Sequence, residues 1–180
     1  MDSGVDIRAQ IAADALLQEE INRALEDFAR SLPGATDLRL VRVLTRTLEP
    51  SWTEHASFQD HVVFPIVADL NGDAKDITGV IDRLRGEHAD LAERHSELRE
   101  HLESLLDGDH SQARTLASLL RSSVELRSRH FDAEAALAGW LPGFFTPSDL
   151  ALLGRWVANR PKPPFPLSLF NQRRRRSARN

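Results

Sequence analysis

The sequence predicts an all-α protein, an antiparallel up-down-up-down four-helix bundle followed by a short fifth helix and an irregular basic tail. Three observations predict it. Four long segments repeat apolar residues at helical spacing, short breaks rich in Gly, Pro and Asp separate them, and no stretch alternates as a strand does. Short loops between long helices make neighbours antiparallel. The 180 residues, 41% hydrophobic and 28% charged, suit a single core. Residues 5–142 read as the bundle, 143–160 as a helix packed on it, and 161–180 as a Pro/Arg-rich tail.

Segment A, about residues 5–31, places Ile7, Ile11, Asp14, Gln18, Ile21, Leu25, Phe28 and Leu32 along one face. Segment B, about 37–70, does so with Leu38, Val41, Thr45, Leu48, Trp52, His55, Gln59, Val62 and Ile66. Pro50 removes a backbone donor there and is expected to kink or divide the helix. Segment C, about 74–106, alternates fours and threes through Ile77, Ile81, Leu84, His88, Leu91, His95, Leu98, Leu102 and Leu105. Segment D, about 109–140, carries Leu119, Ser123, Leu126, His130, Ala133, Leu137 and Leu141, with Glu134 one turn beyond His130. Thr146-Pro-Ser-Asp149 offers a capping hydroxyl, a proline at the first helical position and an acid at the third, which starts a fifth helix ending near Asn159. Beyond it, Pro161, Pro163, Pro164, Pro166 and the Arg173 to Arg176 run cannot build a core by themselves.

The inward stripes turn polar at one height. Residues equally far before and after a hairpin turn lie level in antiparallel helices, because both rise about 1.5 Å per residue. His55 stands 17 residues before Gly72 and His88 16 after it; His88 stands 20 before Gly108 and His130 22 after it. About Gly34, Asp14 and His55 match in the same way. Asp14, His55, His88 and His130 therefore share a layer, with Gln18, Gln59, His95 and Glu134 within two turns. Buried polar groups need partners, and a metal ion is one that all four helices can share.

Composition narrows the chemistry. The absence of cysteine excludes disulfides, thiolate metal sites and cysteine nucleophiles, so a metal must take nitrogen and oxygen ligands. No window approaches the roughly 18 apolar residues of a membrane span, and no leader pattern opens the chain, which predicts a soluble cytoplasmic protein. The net charge of −4 hides an acidic body and a basic end. The arginine run can contact nucleic acid or anionic lipid, although no aromatic groups are interleaved for stacking, and a solubilising tail is the simpler reading. Phe144, Phe145, Phe165, Phe170 and Trp156 are expected to pack the proline segment onto the bundle or to form a homodimer contact. No P-loop, G-x-G-x-x-G, G-x-S-x-G or H-E-x-x-H motif is present.

His55 four residues before Gln59, then Phe64-Pro65, together with Glu87-His88, His130-x-x-x-Glu134 and Leu141-Pro142, resemble the hemerythrin-like (HHE cation-binding) family over about residues 6–160. The helix from Asp149 to Arg155 also looks like the ending of many such proteins. The resemblance implies a four-helix bundle whose histidines and acids hold one or two iron ions, serving O2 or NO binding, redox sensing or iron handling. Two positions depart from the family pattern: Asp14 stands for the usual histidine of the first helix and Gln59 for a glutamate. Asp14, His55, His88, His130 and Glu134 remain as N/O ligands, with Gln59 and His95 as further candidates, and the set suits Fe, Mn or Zn. The position left by Gln59 would admit a small diatomic ligand, with Trp52, Phe58 and Val62 keeping the pocket dry.

Blander readings stand beside these. Asp14 can be an acceptor that orients a histidine, Glu134 a solvated acid paired with Arg127 or Arg129, and Gln59 a hydrogen-bonding group. His61, His101 and His110 lie off the stripes and read as solvent-facing. The alternative function is a metal-free helical interaction module with a degenerate site. A peroxide- or NO-consuming enzyme is a further alternative.

Overall fold

The computed structural model describes residues 6–34, 36–71, 75–142 and 144–159, which are helical apart from their connections, with no strand among them. Helix α1 spans Ile7–Ser31 and α2 spans Leu38–Phe58. A π-helical turn, Gln59–Val63, runs on into α3, Phe64–Asn71; α4 spans Lys75–Leu106, α5 Ala113–Ala138 and α6 Pro147–Asn159. Gly72 and the whole basic tail, with Arg173 to Arg176, Phe165 and Phe170, lie outside the described residues.

Local chemistry sets the ends. Asp6 caps α1 by accepting from Arg8 N–H at 2.9 Å, and Asp37 caps α2 by accepting from the N–H groups of Arg39 and Leu40. After α4, Gly108 takes φ 91° while Asp109 N–H reaches back to Ser104 O at 3.0 Å, a closure that favours a residue without Cβ. At α6, Thr146 Oγ1 accepts from Asp149 N–H at 3.2 Å and Asp149 Oδ2 accepts from Thr146 N–H at 2.7 Å, so the expected cap is a reciprocal box. Pro50, in contrast, does not divide α2. It and Arg46, whose carbonyl loses its donor, lie on the exposed face where water can serve instead. The irregularity comes later, where Phe64 N–H bonds to Gln59 O, five residues back.

Helix α1 packs on α2 and α5, and α4 packs on the same two. Contact order is opposed between α1 and each of its two neighbours: Asp14 meets His55 while Gln18 meets Ser51, and Arg8 reaches Pro142 while Gln18 meets Arg127. Two apolar clusters result. One joins residues from Ile21 to Leu32, Leu40 to Leu48, Leu98 to Leu105 and Ala113 to Val124. The other joins Ile7, the stretch Phe58 to Val67, Ile81, Leu84, Leu137 and Leu141 with Leu153 and Trp156 of α6. Each fully buried Leu, Ile or Phe contributes about 1.5–3 kcal/mol, so the two clusters carry the fold from both ends. The polar layer lies between them.

The stripes of segments A and C match the buried faces of α1 and α4, and most of segment B matches α2. Leu38, at the helix start, is 41% exposed, and Thr45 is half-buried. Segment D differs more. The buried face of α5 runs through Leu116, Leu120, Ser123, Arg127, His130, Glu134 and Leu137, while Leu119, Leu126 and Ala133 are only half-buried. An apolar pattern could not select Arg127 and Glu134 over their neighbours, because their burial depends on partners from other helices. Trp156 packs against Phe58 in the core, with ring centroids 4.8 Å apart and planes tilted by 50°, whereas Phe144 is 92% exposed. Among the described residues no helix is long and apolar enough to cross a membrane.

Candidate metal centre

Three helical runs bring His55 (α2), His88 (α4), and His130 with Glu134 (α5) together, all four buried, with one ligand atom from each lying within 4.8 Å of the others. The i, i+4 spacing puts His130 and Glu134 on one face of α5. Glu134 stands at the centre: its oxygens lie 3.2 Å from His55 Nε2, 3.4 Å from His88 Nε2 and 3.3 Å from His130 Nε2. These approaches lack hydrogen-bond alignment, and the three Nε2 atoms and Glu134 Oε1 have no hydrogen-bond partner among the described residues. Four unpartnered polar atoms converging on one buried point would each cost about 1–3 kcal/mol without a common partner.

The outer nitrogens are all engaged by carboxylates. His55 Nδ1–H donates to Asp14 Oδ2 at 2.6 Å, His88 Nδ1–H to Asp60 Oδ1 at 3.2 Å, and His130 Nδ1–H to Glu87 Oε2 at 2.9 Å. A proton held on Nδ1 leaves the Nε2 lone pair aimed inward, which is how carboxylates orient metal-binding imidazoles. Donor atoms around one ion at bonds of about 2.1 Å stand about 3.0–3.4 Å apart, and the three contacts to Glu134 fall close to that spacing. The chemistry and the geometry of the group fit a cation.

Charge sharpens the picture. Burial lowers the His55 pKa, but the charge of Glu134 and the hydrogen bond to Asp14 outweigh it and raise the value to about 9. Burial also lowers that of His88, and Asp60 and Glu134 more than compensate, so it too is raised. Glu134 is pushed up by burial but driven well below the usual carboxylate range by His55 and its two companions. Without a cation these imidazoles compete for protons instead.

Trp52 lines the layer from one side. Its indole N–H donates to His88 O at 3.0 Å, and its ring lies 4.9 Å from that of His55 and 5.4 Å from that of His130. Arg127, with no exposed surface, sits against the same ring at 5.2 Å. Its partners are neutral: Nε donates to Asn22 Oδ1 at 2.5 Å, NH2 to Gln18 Oε1 at 2.7 Å, and NH1 approaches His95 Nε2 at 3.2 Å. Burial brings the Arg127 pKa down to about 9, with Asp14 acting in the other direction. Burial, reinforced by the Arg127 charge, holds His95 well below the ordinary histidine value.

Of the residues singled out in the sequence, His55, His88, His130 and Glu134 are brought together. Asp14 lies one contact further out, on His55 Nδ1, and His95 faces Arg127 rather than the group. Gln59 is buried at the start of the π turn and lines a cleft with His55 and Glu134. Glu134 is 8% exposed and pairs with the histidines, so its reading as a solvated partner of Arg127 or Arg129 is overturned. His61 and His110 are exposed, as expected, and His101 is half-buried. Sequence reasoning gave no role to Asp60, used Glu87 only as part of a motif with His88, and offered Arg127 only as a surface partner of Glu134. Glu87 had a signal, as the residue before His88 and level with His130; Asp60 had none, because the π turn carries it toward α4. Comparison with protein-family models, curated proteins and solved structures finds no match for this chain.

Proposed function

We propose that the chain is a hemerythrin-like metal-binding protein, an antiparallel up-down-up-down four-helix bundle holding one cation in its polar layer. His55, His88 and His130 bind it through Nε2 and Glu134 through a carboxylate oxygen, while Asp14, Asp60 and Glu87 hold the Nδ1 protons. The observation that carries this reading is the set of four buried, unpartnered donor atoms within 4.8 Å, each imidazole fixed from behind by an acid. The opposed contact order of neighbouring helices supports the bundle. A single carboxylate in the group and a neutral Gln59 support one ion rather than a bridged pair. Ligand hardness favours non-haem iron, with Mn and Zn as alternatives. When bound, iron supplies a redox couple and a coordination position for a small ligand such as O2 or NO, which suits binding, sensing or iron handling.

Metal analysis by mass spectrometry on protein purified without a histidine tag or chelator tests the reading. Near-stoichiometric metal, lost in the His55→Ala/His130→Ala double variant, is the expected result. A folded protein that takes up no metal after anaerobic iron loading would overturn it and leave the metal-free interaction module.

A further inference from the structure

Between α1 and α5 a cleft of about 450 Å³ runs in from the surface to His55 and Glu134. We propose that this cleft is a binding site for a small organic molecule, neutral or amine-bearing with an apolar body, held against the open side of the His/Glu group. The proposal rests on the metal reading for what His55 and Glu134 present to that molecule, and on the cleft itself for the rest.

Size argues first. A diatomic ligand needs about the 30 Å³ of one water. The cleft is more than tenfold larger and falls within the roughly 300–1,000 Å³ of small-molecule sites. The space exists because Ala15 and Ala135 line the two walls where longer side chains would fill it. Around them Ile11, Val63 and Phe131 give an apolar lining that suits a hydrocarbon body.

Polar groups define the ends. Inside, the cleft ends on His55 and Glu134, two of the groups proposed to hold the cation, so a ligand entering it would face the open side of that group. Gln59, also lining it, makes no side-chain hydrogen bond among the described residues and offers an amide donor and acceptor to the polar end of a ligand. Toward solvent stand Asp132 and Glu19, the latter paired with Arg23, while Asp14 lies deeper on His55 Nδ1, and no Lys or Arg is among the lining residues. Such a rim repels anions and favours neutral or cationic molecules.

Calorimetry with benzylamine, benzyl alcohol and benzoate on the full chain, both metal-loaded and metal-free, tests the site. Benzylamine or benzyl alcohol is expected to bind one per chain with Kd of about 1 mM or tighter, given their roughly eight non-hydrogen atoms. Benzoate is expected to bind at least tenfold more weakly. Ala15→Leu and Ala135→Leu, made separately at exposed helical positions that tolerate leucine, should each weaken binding at least tenfold without changing metal content. Absence of binding by both neutral and cationic probes, preference for benzoate, or affinity unchanged in both variants overturns the proposal. Metal content of the same samples separates the two readings. A metal-containing protein without probe affinity loses the cleft alone, whereas a metal-free protein that binds benzylamine through Ala15 and Ala135 keeps the cleft and loses the metal.

Discussion

Metal affinity should rise steeply with pH, because the cation and a proton compete for His55. Its Nδ1 proton is held by Asp14, so ligation requires loss of the proton on Nε2, and Glu134 and Asp14 raise the imidazole pKa to about 9. At pH 7 that proton is held against two units, and at 1.36 kcal/mol per unit its displacement costs about 3 kcal/mol. The expected result is a tenfold gain in affinity per pH unit between 7 and 9, levelling off above, with His88 steepening the slope where it also titrates. Competition with a chromophoric chelator at constant ionic strength measures the affinity, and proton release into weakly buffered solution counts the displaced protons. Asp14→Asn removes the hydrogen-bonded charge and should flatten the slope. Affinity constant from pH 7 to 9 in a wild-type protein that binds metal stoichiometrically would refute the reasoning. The metal-free protein should show the opposite trend. The folded imidazole holds its proton more tightly than the unfolded one, so its contribution of about 3 kcal/mol is complete below pH 6.5 and lost as pH rises through about 9, which thermal melts across that range can follow.

Glu134→Gln should lower metal affinity by at least about 100-fold, since it replaces the only carboxylate among the four converging groups; unchanged affinity by the same chelator competition would remove Glu134 from the ligand set. Arg127→Ala should destabilise the fold by about 3–5 kcal/mol in chemical denaturation, because it leaves a cavity beside Trp52 and strips donors from Gln18 and Asn22. Gly108→Ala should cost about 1 kcal/mol in the same assay, as a Cβ at φ 91° is strained although nothing crowds it.

The helices, the turns between them and the height of the polar layer were legible in the residues alone, although the break expected at Pro50 is absent. Those follow from short-range rules, such as the spacing of Ile77 to Leu105, the aspartate caps at Asp6 and Asp37, and the box from Thr146 to Asp149. Counting residues from the turns was enough to place His55, His88 and His130 together, because the rise per residue is the same in every helix. What lies behind those histidines was decided only in three dimensions. Asp60 reaches His88 because the chain unwinds into a wider π turn at Gln59, and Glu87 reaches His130 from the shoulder of α4 rather than from its stripe. Arg127 looks like a surface charge in a one-dimensional pattern, yet it is buried because Gln18 and Asn22 meet it there, while Glu134, expected on the His130 face, is buried among three imidazoles. The free energy of burying a charge depends on partners distant in sequence, so periodicity can locate a polar layer while only the tertiary structure decides which of its groups face one another.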